Sequence, residues 1–367
     1  MPKITKLKTL KISSLDNIKN SIVGKYIKEI EKKLGHNLYD LLPKHNYEEV
    51  EFEISDTNSA FANAIRRSLI SEIPVWTLSL VVESMESDDP YLRFDDFADK
   101  INTLPIPQTL LNKLFDQDSD PNKIFKFRIL VKNNTSDIMH VLSKNIEVVT
   151  SNKENIILDN TTSLQILRPG HYMKCHLILE RGYGFQHGGK YSATKNPIYY
   201  PVDMVPMEKR YKKDSIGLSS LVVDPKKFFI KYETYGTYKN AYEPILLAVE
   251  EIKKRIISIS DEIEKYIELL SNEKNTAVYF YANDDVTILK EANTFIFKID
   301  NESLTISKLF SRYIYELNPN IDYVSDLAEH PSKRAVIVKV QHDDALKLMV
   351  AARKKIISDL NGILKFF

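Results

Sequence analysis

Ile245, Val249, Ile252, Ile256, Ile259, Ile263, Tyr266 and Leu270 follow one another at steps of four and three residues. That spacing lines one side of an α-helix with a continuous apolar seam, as in a coiled coil. A helix of about 30 residues runs about 45 Å, longer than one small sheet can cover. The seam therefore predicts a second helix packed along it. The C-terminal stretch offers one, with Ala345, Met349, Ala352, Ile356 and Ile363 on one face.

A second informative stretch is Asp56 to Pro74, DTNSAFANAIRRSLISEIP. Asp56, Thr57 and Asn58 can each cap a helix that begins just after them. Phe61, Ala64, Ile65 and Leu69 form its apolar face, while Asn63, Arg66 and Arg67 fall on a neighbouring stripe. Pro74 disfavours a helical Ile73, and Val75 to Val82 reads as a buried strand. Two arginines on a packed helix suit planar carboxylates or backbone carbonyls of a partner. Taken alone, the segment also fits an ordinary surface helix end with solvated arginines.

A similar order recurs near the C-terminus. Phe295 to Ile299 reads as a strand, Asn301-Glu302-Ser303 leads into a helix, and Ile306, Leu309, Phe310, Tyr313 and Ile314 share its apolar face. Pro319 follows that helix, His330-Pro331 makes a turn, Ala335 to Val340 is strand-like, and the closing helix comes last. Strand, helix, proline, strand and long closing helix thus occur twice.

The first stretch resembles the signature of the alpha-like RNA polymerase subunits: an Asn-x-x-Arg-Arg helix, Glu-Ile-Pro, a strand, then an acidic helix ending in a Pro-hydrophobic pair. The later part is carried here by Phe94 to Ile101 and by Leu104-Pro105-Ile106, with Lys100 where the family usually has Arg and Asp99 where it often has His. Asn301 to Lys308 resembles a degraded form of the Asn-Glu-Asp-His-Thr-Leu-Gly-Asn motif of the small alpha-like subunit. The resemblance covers nearly everything from about residue 48 onward and implies large and small alpha-like subunits fused in one polypeptide. Such fusion is similar to what large DNA viruses of eukaryotes carry, and the abundant Lys, Asn, Ile and Tyr fit an AT-rich genome. It implies action in the host cytoplasm and virion if viral, and otherwise in the nucleus or wherever the polymerase acts.

The implied fold is α+β, two alpha-like dimerisation folds forming an internal pseudo-dimer, with a mostly β inserted domain. Residues 1–45 form a Lys-rich extension, read as a solvated helix or tail with a stripe at Val23, Ile27, Ile30 and Leu34. Residues 46–110 and 221–272 form the large alpha-like domain, 111–220 the insertion and 273–367 the small alpha-like domain. The resemblance implies a non-catalytic platform for the two largest polymerase subunits, with smaller subunits as further partners and DNA and RNA met only through the complex. Asn58, Asn63, Arg66, Arg67, Glu72 and Pro74 are the candidates for docking one large subunit, and Glu302, Thr305 and Lys308 for the other. Ile245, Val249, Ile252, Ile256, Ile259 and Ile263 are the candidate dimerisation seam.

Rival chemistry is present but incomplete. Gly184 to Lys190 fills the first seven positions of a phosphate-binding P-loop, but Tyr191 stands where Ser or Thr should hold Mg²⁺, and no helix opens after it. The same stretch resembles a Gly-x-Gly-x-x-His-x-Lys turn of large alpha-like subunits through Gly182, Gly184, His187 and Lys190, with a one-residue shift at the lysine. There the glycines serve tight backbone geometry and His187 orients the turn. His171, Cys175, His176 and His187 invite a metal, yet strand alternation sends Cys175 and His176 to opposite faces. The chain has one cysteine, so the cysteine cluster that large alpha-like subunits often carry has no counterpart. No metal or cofactor is expected. The pairs Asp88-Asp89, Asp95-Asp96, Asp284-Asp285 and Asp343-Asp344 sit at turns or helix starts, where carboxylates cap or meet solvent.

At 43% hydrophobic and 28% charged, the 367 residues have the composition of a soluble globular protein, with no apolar run approaching a membrane span. A net charge of +1 disfavours a protein whose main task is gripping DNA. A nucleic-acid-binding module using the N-terminal lysines, an NTPase at Gly184 to Lys190 and an unrelated structural dimer are the alternatives.

Overall fold

The computed structural model describes residues 2–13, 19, 22–34, 46–115, 120–149, 156–202, 225–272, 280–282 and 285–367. The paired acids at Asp284 and the proposed junction around residues 273–275 lie outside them. The chain opens with β1 (Lys3–Ser13), α1 (Ile22–Leu34), β2 (Asn46–Ser55), α2 (Ser59–Ser71), β3 (Pro74–Leu80), β4 (Glu86–Ser87), α3 (Phe94–Asn102) and α4 (Gln108–Leu114). The strands β5 (Phe127–Lys132), β6 (Met139–Leu142), β7 (Ile146–Val148), β8 (Ser163–Leu167), β9 (Tyr172–Tyr183), β10 (Lys195–Pro201) and β11 (Phe228–Thr234) follow. The rest comprises α5 (Glu243–Asn272), β12 (Phe280–Ala282), β13 (Val286–Glu291), β14 (Thr294–Asp300), α6 (Leu304–Leu317), β15 (Tyr323–Ala328), β16 (Ala335–Gln341) and α7 (Ala345–Leu364). The fold is mixed α and β, with antiparallel sheets.

Two sheets and four helices share one core. The first sheet has the order β1-β2-β11-β10 and the second β12-β13-β14-β16-β15. Between them lie α2, α5, α6 and α7, and the buried residues of both sheets and all four helices form one cluster. The seam residues Ile245, Val249, Ile252, Ile256, Ile259, Ile263 and Tyr266 are all buried in it. Helix α5 packs along α7, which answers the demand of a seam too long for one sheet.

The exits from β2 and β14 are built alike. Each strand is followed by a residue with positive φ, Asp56 at 57° and Asn301 at 59°. Asp and Asn enter this left-handed region more readily than other side-chain-bearing residues. Two positions later the chain returns to extended geometry, and Asn58 or Ser303 caps the next helix. The Asn58 Oδ1 accepts from the Phe61 amide at 2.9 Å, and the Ser303 hydroxyl accepts from the Thr305 amide at 3.4 Å.

A third sheet, β3-β9-β5-β7 with β4 paired to β9, builds a separate core with α3, α4 and the small β6-β8 sheet. Two boundaries differ from the sequence reading. Trp76, Leu78, Phe97, Ile101 and Leu111 belong to this core, because β3 pairs with β9 and not with the first sheet. Conversely, β10 leaves the presumed insertion and completes the first sheet beside β11.

The N-terminal lysines also find a different setting. Residues 3–13 form an edge strand against β2, with Ile4 buried inward. Lys3, Lys6 and Lys11 meet Asp56, Glu53 and Glu48 at 3.2, 2.8 and 3.9 Å. Helix α1 carries the Ile27 and Ile30 stripe, with Ile30 exposed. Among the described residues no helix is long and apolar enough to cross a membrane.

Candidate docking faces

Helix α2 buries Phe61, Ala64, Ile65 and Leu69, which leaves Asn63, Arg66 and Arg67 half-buried along its outer edge. The Arg66 Nε donates to Asn63 Oδ1 at 2.9 Å, which fixes the guanidinium on the helix surface. Its carbon lies 5.9 Å from the centre of the Tyr199 ring. Burial, and then the neighbouring Arg67 charge, pulls the Arg66 pKa below its ordinary value. Among the described residues neither guanidinium meets a carboxylate within ion-pair range. An incoming carboxylate or carbonyl would relieve two adjacent like charges, so this edge is chemically suited to a partner.

The other candidates on α2 are turned inward. Asn58 is 1% exposed and uses both ends of its amide, capping α2 and donating from Nδ2 to Glu316 Oε2 at 3.2 Å. Glu72 is 2% exposed, and its carboxylate receives Arg255 at 2.8 Å and Arg334 at 2.6 Å. Pro74 is half-buried at the start of β3. On the C-terminal side Lys308 is exposed, whereas Glu302 and Thr305 are buried. Glu302 accepts from Arg255 Nε at 2.7 Å and again from its Nη2. The structure thus groups Asn63, Arg66 and Arg67 on one open edge, while Asn58, Glu72 and Glu302 are spent on contacts inside the chain.

Those inward contacts form a cluster that joins distant parts of the sequence. Burial lowers the Arg255 pKa, but Glu302 and Glu72 outweigh it and hold the guanidinium above its ordinary value. Arg334 adds a hydrogen bond from Nε to the Asn301 carbonyl at 3.0 Å and lies 3.6 Å over the Phe185 ring. Sequence reasoning passed over both arginines. Arg255 carries a faint signal, for it stands three residues after Ile252 and four before Ile259, hence at the border of the buried seam. Arg334, in the turn before β16, carries none.

The glycine-rich turn belongs to the same neighbourhood. Gly184 packs against the end of α2, where an added Cβ would stand 2.5 Å from the Ile70 oxygen and 2.7 Å from the Ser71 Cα. The Phe185 amide donates to the Ser71 carbonyl at 3.2 Å. The Lys190 ammonium is taken by Ser79 at 2.9 Å and by Glu180, and the chain continues into β10 without opening a helix. The turn is therefore a backbone clasp on α2, with neither a free lysine nor a helix N-terminus for a phosphate. Cys175 is buried inside the third sheet, where burial pushes its thiol up to about 12, while His176 is exposed on the other side. No family model matches the chain.

Proposed function

We propose that this protein is a non-catalytic assembly platform of a multisubunit DNA-directed RNA polymerase, its two alpha-like halves pairing within one chain. The observation that carries the reading is the repeated strand, positive-φ residue, cap and helix at Asp56 to Ser71 and Asn301 to Leu317, with the two helices packed on each other. Antiparallel helices sharing a core with two sheets are what a pseudo-dimer of alpha-like folds requires. The covalent link makes their association intramolecular and raises the effective concentration of one half for the other.

In this account the platform acts by position. Asn63, Arg66 and Arg67 receive one large catalytic subunit, and the surface around Lys308 receives the other. The catalytic cleft and its metal ions belong to those partners. Asn58, Glu72 and Glu302 serve the pairing of the halves and so set the angle between the two faces. If the chain is viral, it works in the host cytoplasm and is packaged in the virion.

The test is a tagged chain recovered in mild salt from its native source, as wild type and as the Arg66→Ala/Arg67→Ala double variant. The proposal expects the wild type to bring two very large chains in near-equal amounts and the variant to lose one of them. A variant that recovers both in wild-type amounts would remove α2 as a docking face.

A further inference from the structure

The edges of the two large sheets are not protected alike. Exposed edge strands pair with other chains unless lysines, prolines or bulges blunt them. Strand β1 has four exposed lysines, Lys3, Lys6, Lys8 and Lys11, and a bulge between Thr5 and Lys8. Strand β10 has Pro197 and Pro201, a bulge between Lys195 and Ile198, and a positive φ at Asn196. Strand β15 ends the second sheet and has none of these devices. It pairs with β16 without a bulge from Tyr323 to Ala328, and its sequence YVSDLA contains no lysine, proline or glycine. Its one charge, Asp326, is turned toward α6 and accepts from the Ser311 hydroxyl at 2.9 Å.

The outer face along this edge is specific in its chemistry. Tyr323 and Leu327 are 48% and 46% exposed, and Leu327 stands beside Ile337 of β16. Between them is Ser325, whose hydroxyl is buried without a hydrogen-bond partner and whose neighbour on β16 is Lys339. Among the described residues no carboxylate lies within ion-pair range of Lys339. A strand added beyond β15 would lie about 10 Å from β16. Across so small a side chain as Ser325, the Lys339 ammonium reaches an acidic side chain on that strand.

We infer that β15 is a strand-addition site for an extended segment of a partner protein, with an acidic residue opposite Ser325 and apolar residues opposite Tyr323 and Leu327. Backbone hydrogen bonds supply the affinity and the alternating side chains the selectivity. Glu or Asp opposite Ser325 meets Lys339, and Lys or Arg there is repelled. The inference does not depend on which complex the chain enters.

The experiment is amide hydrogen exchange over β15 in the full chain, isolated and as recovered in mild salt with its bound partners. In the isolated chain the alternate β15 amides that do not bond to β16 exchange fast. With partners bound, those amides slow by at least about tenfold. Leu327→Lys, which places on this edge the device β1 already has, abolishes that slowing without altering exchange in β14 or β16. Equal rates in the two states, or a chain recovered alone, would overturn the inference. Slowing that grows with the concentration of the isolated chain would overturn it too, since the occupant would then be a second copy.

Discussion

Asn58 at the start of α2 donates its side-chain amide to Glu316 near the end of α6, at 3.2 Å. The relation is returned at the other end of the pair, where Ser303 at the start of α6 reaches Glu72 just past α2 at 3.4 Å. Each helix thus offers its cap residue to a carboxylate at the other's C-terminal end. Glu316 is balanced in turn by Lys226 and Arg312, each at 3.2 Å.

The amide of Asn58 has two tasks, and two substitutions separate them. Asp caps a helix about as well as Asn, so a purely local role tolerates Asn58→Asp. Here the new carboxylate would face Glu316, and the urea midpoint falls. Asn58→Ala loses cap and contact together, with an expected cost of about 1–2 kcal/mol. An Asn58→Asp midpoint equal to wild type would show that the Glu316 contact contributes nothing.

Arg255 is the cation on which Glu72 and Glu302 both depend. Removing one member of a buried ion cluster leaves the others uncompensated, typically at about 3–5 kcal/mol. Arg255→Met is expected to lose stability in that range by denaturant unfolding. Adding Glu302→Gln to Arg255→Met restores part of the loss, because one orphaned charge is removed with it. Strict additivity of the two substitutions would contradict the cluster.

Arg66 and Arg67 behave in the opposite way. Without carboxylate partners inside the described chain they contribute little to folding, so the double alanine variant keeps its unfolding midpoint within about 0.5 kcal/mol. Partner binding is where the loss appears. Hydrogen bonds from charged groups are worth about 1.5–3 kcal/mol each once desolvated, at least tenfold in affinity per arginine. The two readings, unfolding and co-purification, must therefore separate.

The outer face of the first sheet supplies a pH dependence. Hydrogen bonds from Lys227 and then Lys6 hold the Glu53 carboxyl below its ordinary value of 4.5. A carboxylate with a depressed folded-state pKa stabilises the fold above that ordinary value, and the contribution fades as pH falls through the folded-state pKa. Wild-type stability is expected to decline as the solution is acidified below about 4.5. Glu53→Gln starts lower at neutral pH and declines less steeply. Parallel curves for the two proteins would contradict this assignment.

What could be read in advance follows a physical pattern. The seam from Ile245, helix α2 with its capping run and the strand after Pro74 were legible because each is written in local periodicity and punctuation. Strand β1 was not, since its lysines alternate with apolar residues only once Glu48, Glu51 and Glu53 of β2 stand opposite. The insertion boundary was misplaced because β3 finds its partner in β9, about a hundred residues later in the chain. The stripe of Asn63, Arg66 and Arg67 was visible from helical spacing. That Glu72 and Glu302 turn inward was not, for the cations that draw them come from α5 and from the turn before β16.

The central claim is that this chain is a working part of an RNA polymerase. Its most direct test is immunodepletion from an extract of the native source, followed by measuring RNA synthesis from nucleoside triphosphates on a DNA template. The account predicts that depletion removes a template-dependent activity and that the recovered complex synthesises RNA. An extract whose RNA synthesis is untouched, with a precipitate that makes none, would contradict it.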